Sequence, residues 1–198
     1  MDAAADYARA IEYISNAHLT PYVSYMHHFS LNGMHATSSS GRIVVRVSDG
    51  KVISGSTVTY TNDDGKHDIN PVSHPIFDAA CYRARHESTS SFDGAPALKL
   101  DLVPICNERH NGDHDYSFTT LYVDPQTLRP LDANGNVPPD ADSKNVAVSL
   151  DERFAQFGER VMPSAIRVDV TGSGWMFWLQ VHVRDEFSDY QFLNSPNA

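Results

Sequence analysis

The stretch SGWMFWLQVHVRDEFSDYQF, residues 173–192, decides how this chain folds. Trp175, Phe177, Leu179, Val181 and Val183 occupy alternate positions, with Met176, Trp178, Gln180, His182 and Arg184 between them. Period-two alternation puts the first set on one face of a strand and the second on the other. Both tryptophans of the chain lie here. Residues 175–185 alone span about 36 Å when extended, more than a flat sheet needs in a chain of 198 residues. Such a strand belongs to a twisted, strongly curled sheet, and a curled antiparallel sheet needs something against its concave face.

The rest of the chain supplies partners and plugs. Residues 2–17 read as an amphipathic helix with Ala3, Tyr7, Ala10, Ile11 and Ile14 in one stripe. Asp2 is placed to cap it and Pro21 forbids continuation. From residue 22 the period becomes two: Val23, Tyr25, His27, Phe29 and Leu31 alternate with Tyr22, Ser24, Met26, His28 and Ser30. Residues 41–60 predict two strands around a tight turn at Asp49-Gly50. TNDDGKHDIN, 61–70, reads as a polar loop.

A short second helix is predicted within 73–88, SHPIFDAACYRARHES, with Pro75 in its first turn, Asp78 near its start and Arg83 and Arg85 near its end. STSSFDGAP, 88–96, reads as a linker-like loop. Strands resume at 97–105, with Leu98, Leu100 and Leu102 on one face, and continue through 116–124, 144–152, 163–172 and the opening stretch. Their succession through turns implies antiparallel pairing. The expectation is an α+β fold in a single domain over 1–198. It is a strongly curved antiparallel half-barrel of about eight or more strands, with the N-terminal helix and the short inserted helix plugging its concave face.

Composition narrows the function. With 41% hydrophobic and 20% charged residues the chain is an ordinary globular protein, and its formal charge of −10 with scattered basic residues argues against nucleic acid as a partner. No apolar run reaches the length of a membrane span. The start, MDAAADYARA, lacks the features of a secretion signal and reads as a mature domain with a starter methionine in place of a removed leader. Cys81 and Cys106 pair in an exported protein or stay as buried thiols in a cytosolic one, and spacing does not choose between these.

The chemical motifs are weak. His110 and His114 in ERHNGDHD have a zinc-like spacing, but Asn111-Gly112 breaks any helix that would make them converge. DANGNVPPDADS, 132–143, imitates a calcium loop with Asp132, Asn134 and Asn136. It has Val137 and Ser143 where glycine and glutamate belong, and so reads as a surface loop. His86-Glu87 lacks the second histidine of a zinc-protease helix, since residue 90 is serine. Gly172-Ser173-Gly174 lacks the frame of a hydrolase elbow. No catalytic residue, metal ligand or cofactor site is assigned. The aromatic strand reads as sheet core, and, if the helices leave the concavity incompletely filled, as the wall of an apolar pocket.

The order of elements resembles the bacterial lipoprotein-carrier superfamily, LolA-like proteins and related lipid-carrier lipoproteins. YVDPQTLRPL, 122–131, is similar to that family's strand-and-turn, and EFSDYQFL, 186–193, to its ending. The resemblance implies an exported, non-enzymatic protein whose sheet and helices enclose a hydrophobic cavity for acyl chains. Tyr25, Phe29, Trp175 and Phe177 stand at the inner-face positions, with Leu179 and Trp178 beside them as ligand contacts. An arginine associated with closing the carriers' cavity has no assigned counterpart, with Arg42 and Arg46 both in a strand that could supply it. The pair His27-His28 and the long polar loops at 104–115 and 132–145 depart from the family pattern.

The expected function is therefore an extracytoplasmic carrier, in the periplasm or cell envelope, for a lipid or lipoprotein acyl chain, monomeric and in transient membrane contact. An enzyme using His27 or His182 in the concavity, or a structural domain with a filled core that presents its long loops to a protein partner, are the alternatives.

Overall fold

The computed structural model describes residues 2–14, 20–33, 36–49, 51–55, 58–62, 65–69, 77–106, 117–137, 146–174 and 177–196. It opens with helix α1 (Ala3–Glu12), shorter than its apolar stripe. Asp2 caps it as expected, accepting hydrogen bonds from the N–H groups of Ala4 and Ala5 at 3.2 and 3.3 Å. Ten strands then form one antiparallel sheet. In chain order they are β1 (Tyr22–Asn32), β2 (Thr37–Arg46), β3 (Lys51–Ser54), β6 (Tyr82–Phe92), β7 (Ala95–Pro104), β8 (Ser117–Val123), β9 (Pro130–Val137), β10 (Val146–Phe157), β11 (Arg160–Gly174) and β12 (Phe177–Leu193). The strands β4 (Val58–Asn62) and β5 (Gly65–Ile69) pair separately as a hairpin.

The spatial order is β3-β2-β1-β12-β11-β10-β9-β8-β7-β6. Neighbours in space are neighbours in sequence except at one place, where the first strand pairs with the last. The sheet ends on β3 and β6 and does not close, so the expected half-barrel is what the chain forms. Extra residues on β12, β6, β8 and β11 shift the register and supply its bends.

Four expectations are corrected. The inserted helix is a single 3-10 turn, Ala79–Cys81, and Tyr82–Phe92 is a strand. The reason lies in burial: Tyr82 and Glu87 are buried and the segment ends in β-compatible serine and threonine, so it pairs with β7 instead of coiling. The supposed linker at 88–96 is the hairpin between β6 and β7, turned by Asp93 and Gly94, both at positive φ (48° and 81°) as a type I′ turn requires. The polar loop at 61–70 holds most of the β4–β5 hairpin. The calcium-loop imitation contributes residues 132–137 to β9, where Asp132 and Ala133 are fully buried. His110 and His114 lie outside the described residues.

The core lies on the concave face. α1 sends Tyr7 and Ala10 into it, and Phe77, Phe118, Leu121, Ile166 and Phe187 meet them from the sheet side. The Tyr7 hydroxyl donates to the carbonyl of Ala79 at 2.7 Å and that of Tyr13 to Thr127 at 3.2 Å, so α1 is tied at both ends. Among the described residues no helix is long and apolar enough to cross a membrane.

Candidate functional site

Register identifies which side chains look inward. On β12 the alternating set Leu179, Val181, Val183, Asp185, Phe187 shares a face with Val23, Tyr25, His27, Phe29 and Leu31 of β1, as the pairs His27–Phe187, Phe29–Asp185 and Leu31–Val183 show. The alternation then jumps by one. Between Met26–Ser188 and Ser24–Gln191, β1 has only Tyr25 where β12 has Asp189 and Tyr190. Asp189, at φ 50°, is the bulge, and beyond it Tyr190 and Phe192 turn inward. Tyr25 therefore packs on both Phe187 and Tyr190, at ring distances of 5.6 and 5.3 Å.

The expected ligand contacts divide. Tyr25 and Phe29 are buried on the inner face. Leu179 is half-buried on the same face. Trp178 has the opposite parity and is 87% exposed. Phe177 opens β12, opposite Gly174. Trp175 lies outside the described residues.

Cover on the inner face fades in register across four strands. Phe29 is buried and Leu31 half-buried on β1; Leu150, Glu152 and Phe154 are buried and Val146 and Val148 half-buried on β10. Ile166 is buried and Val168 and Val170 half-buried on β11; Asp185 and Phe187 are buried and Leu179, Val181 and Val183 half-buried on β12. The half-buried members are all aliphatic and run toward the β11–β12 end, where Gly172, itself buried, stands between Leu179 and Val146.

Polar groups are set into the buried part. His27 Nε2 and Asp185 Oδ1 meet at 2.6 Å with the histidine only 4% exposed, its ring stacked on Phe187. Glu152, fully buried, accepts the N–H of Phe77 at 2.6 Å. The Tyr190 hydroxyl donates to the carbonyl of Pro163 at 2.7 Å. Burial, with the Asp185 charge second, raises the Tyr25 hydroxyl well above its ordinary range. Burial and then Tyr25 and Glu152 do the same to Tyr190. Both hydroxyls stay protonated, and that of Tyr190 is a donor. Under α1, Glu87 of β6 lies against Asp6, and burial with that neighbour raises its carboxyl.

The outer face carries its own carboxyl cluster. Asp132 and Asp151 lie close together, bridged by the Asn134 amide, which donates to both. Burial, then Asp151, raises Asp132 to about 8. Arg153 offsets part of the charge, bonded to Asp93 at 2.8 Å and lying over the Phe92 ring. His182 faces outward as well, paired with Asp169. Arg42 bonds Ser24 and Asp189 on the outer side and Arg46 bonds Asp49, so neither reaches into the concavity. Among the described residues no cluster of three or more histidine, cysteine or acidic side chains is arranged to hold a metal ion. Sequence reasoning placed His27 inside but missed its partner, although Asp185 shares parity with Leu179, Val181 and Val183, an acid on an apolar face.

No protein-family model matches the sequence, and no curated protein matches it significantly. Solved structures do match in shape. A protein domain assigned to outer-membrane lipoprotein sorting in Vibrio parahaemolyticus superposes with a TM-score of 0.54 at 13% identity, covering 96% of this chain and 93% of that one. A DUF1329 family protein from Desulfovibrio piger gives 0.51 at 12% identity, with 97% and 94% covered. A LolA superfamily protein from Nitrosomonas europaea gives 0.46 at 12% identity over 100% and 96%. The chain shares its fold with the first two of these structures, at a sequence distance that carries architecture and not activity.

Proposed function

We propose that this chain is an extracytoplasmic, non-enzymatic carrier that holds an acyl chain of a lipid or lipoprotein against the inner face of its sheet. The observation that carries the reading is the graded cover of that face, buried at Phe29, Asp185 and Phe187 and half-buried along the aliphatic strip from Val183 to Leu179. From Leu179 to Val183 the strip is about 13 Å long, and each methylene laid on it gains about 0.8 kcal/mol from leaving water. Tyr25 and Phe29 form the floor where the strip meets the core. The fold shared with a lipoprotein-sorting domain supports the same reading, and the Cys81–Cys106 disulfide fits an oxidising compartment.

The enzyme alternative has its histidine inside, but His27 is stacked and covered, with its one polar partner already bound. A substrate has no approach to it. The test is native mass spectrometry of the purified protein, then solvent extraction and lipid analysis, repeated on Val181→Asp. A co-purifying acyl lipid that the variant loses supports the carrier. A bare mass that added lipids leave unchanged refutes it.

A further inference from the structure

Among the described residues, strand pairing extends further along β11 and β12 than along the strands beside them. β10 accompanies β11 as far as the pair Val146–Gly172, and β1 accompanies β12 as far as Asn32–His182. From Phe177 to Val181 the described pairing of β12 is with β11. Residues 170–181, VTGSGWMFWLQV, contain no charged side chain in a chain of formal charge −10. At this end Trp178 is 87% exposed, far beyond the other exposed large hydrophobics, Tyr13, Ile53 and Ile105. A lone exposed leucine needs no explanation, but a solvent-facing tryptophan on an uncharged projecting ribbon does. Just below stand charged groups: Arg167 opposite Arg184 and Asp169 opposite His182. His182 lies about 13 Å and Arg184 about 20 Å from Trp178 along the strand. An apolar tip above a charged collar is how a segment enters the bilayer interface and stops there.

We propose that the β11–β12 tip, led by Trp178, is a docking element for the surface of an uncharged phospholipid bilayer. Charge decides the lipid. A chain at −10 gains nothing from anionic headgroups, and the tip has no charge to offer one. Continuity gives the contact its use. The strip of Leu179, Val181 and Val183 begins at the tip, so docking brings its open end to the membrane, where acyl chains are exchanged. That use rests on the carrier reading; the contact itself does not.

The experiment is flotation of the full chain with phosphatidylcholine vesicles at millimolar lipid, for wild type, Trp178→Ala and Trp178→Glu. Thermal melts are run alongside to show that replacing this exposed side chain leaves the fold intact. Wild type is expected to float, Trp178→Ala to partition about ten-fold more weakly, as loss of one buried large side chain implies, and Trp178→Glu not to float. Added phosphatidylglycerol is expected to weaken binding. Absence of flotation overturns the proposal and assigns the tip to a protein partner; equal flotation of Trp178→Glu, or binding only to anionic vesicles, also overturns it. Native mass spectrometry on the same samples separates the two readings. Flotation without an acyl ligand sinks the carrier and keeps the docking element, and an acyl ligand without flotation does the reverse.

Discussion

His27 and Asp185 are polar residues on an apolar face, and each is tolerated because the other is there. Buried polar groups cost little while paired and much when orphaned. Asp185→Ala leaves the histidine without its partner and is expected to cost about 1–3 kcal/mol, read as a lower denaturant midpoint. Asp185→Asn keeps a hydrogen bond and is expected to cost less; equal losses would mean that the pairing contributes nothing. Asp132 tests the outer face through pH. Its carboxyl is raised to about 8 by burial and by Asp151. The native protein therefore holds a proton that the unfolded chain has already released. Stability from this group falls as pH rises from about 4 to about 8 and is level above that. Asp132→Asn removes the proton step, so its thermal midpoint should gain on wild type progressively over that interval. A constant difference from pH 5 to pH 9 would contradict the assignment.

At the scale of elements, two glycines separate conformational from steric demands. Gly94 sits at φ 81° in the β6–β7 turn with open space where a Cβ would go, so Gly94→Ala is charged only the left-handed backbone, about 1–2 kcal/mol. Gly135 lies inside β9, where a Cβ would stand 2.7 Å from the carbonyl of Ser117. Gly135→Ala must push β8 away from β9, and it is expected to cost more than Gly94→Ala in chemical denaturation. The reverse order would mean that the sheet gives way there more easily than the turn. These elements also show what the sequence made legible. Alternation in β1, β10 and β12 was strong because one face is buried, and it located Tyr25, His27 and Phe29 correctly. It weakened on β6, where Arg83 and Arg85 are exposed and Pro75 and Asp78 upstream invite a helix, and on β9, whose Asn-Gly-Asn core looks like a turn. The one-residue bulge of β12 falls at Asp189. A shift of one residue follows from the strain of a curved pairing and not from any local preference. Asp132 and Asp151 are neighbours only through the β9–β10 register, which no local pattern encodes.

For the molecule as a whole, the pairing of β1 with β12 places the first and last strands side by side inside the sheet, leaving β3 and β6 as edges. The β6 edge carries the covalent tie. Cys81 precedes β6 and Cys106 follows β7, their Cα atoms 4.9 Å apart across the open end of that hairpin, and the bond closes a separation of 25 residues. The same end anchors the plug. Ala79, which accepts the Tyr7 hydroxyl, and Phe77, which donates to Glu152, belong to the segment that the bond holds. Opening the disulfide frees the unfolded chain and is expected to cost about 3 kcal/mol by loop entropy. The loss should not be uniform, because α1 is tied to the sheet through this segment whereas β1, β11 and β12 hold one another through long ladders. Hydrogen exchange on the Cys81→Ser, Cys106→Ser double variant should accelerate in α1 and the β6–β7 hairpin while β11 and β12 remain protected. Uniform acceleration would show one cooperative unit with no separable plug, and release of an inner-face ligand would then require more than the helix to move.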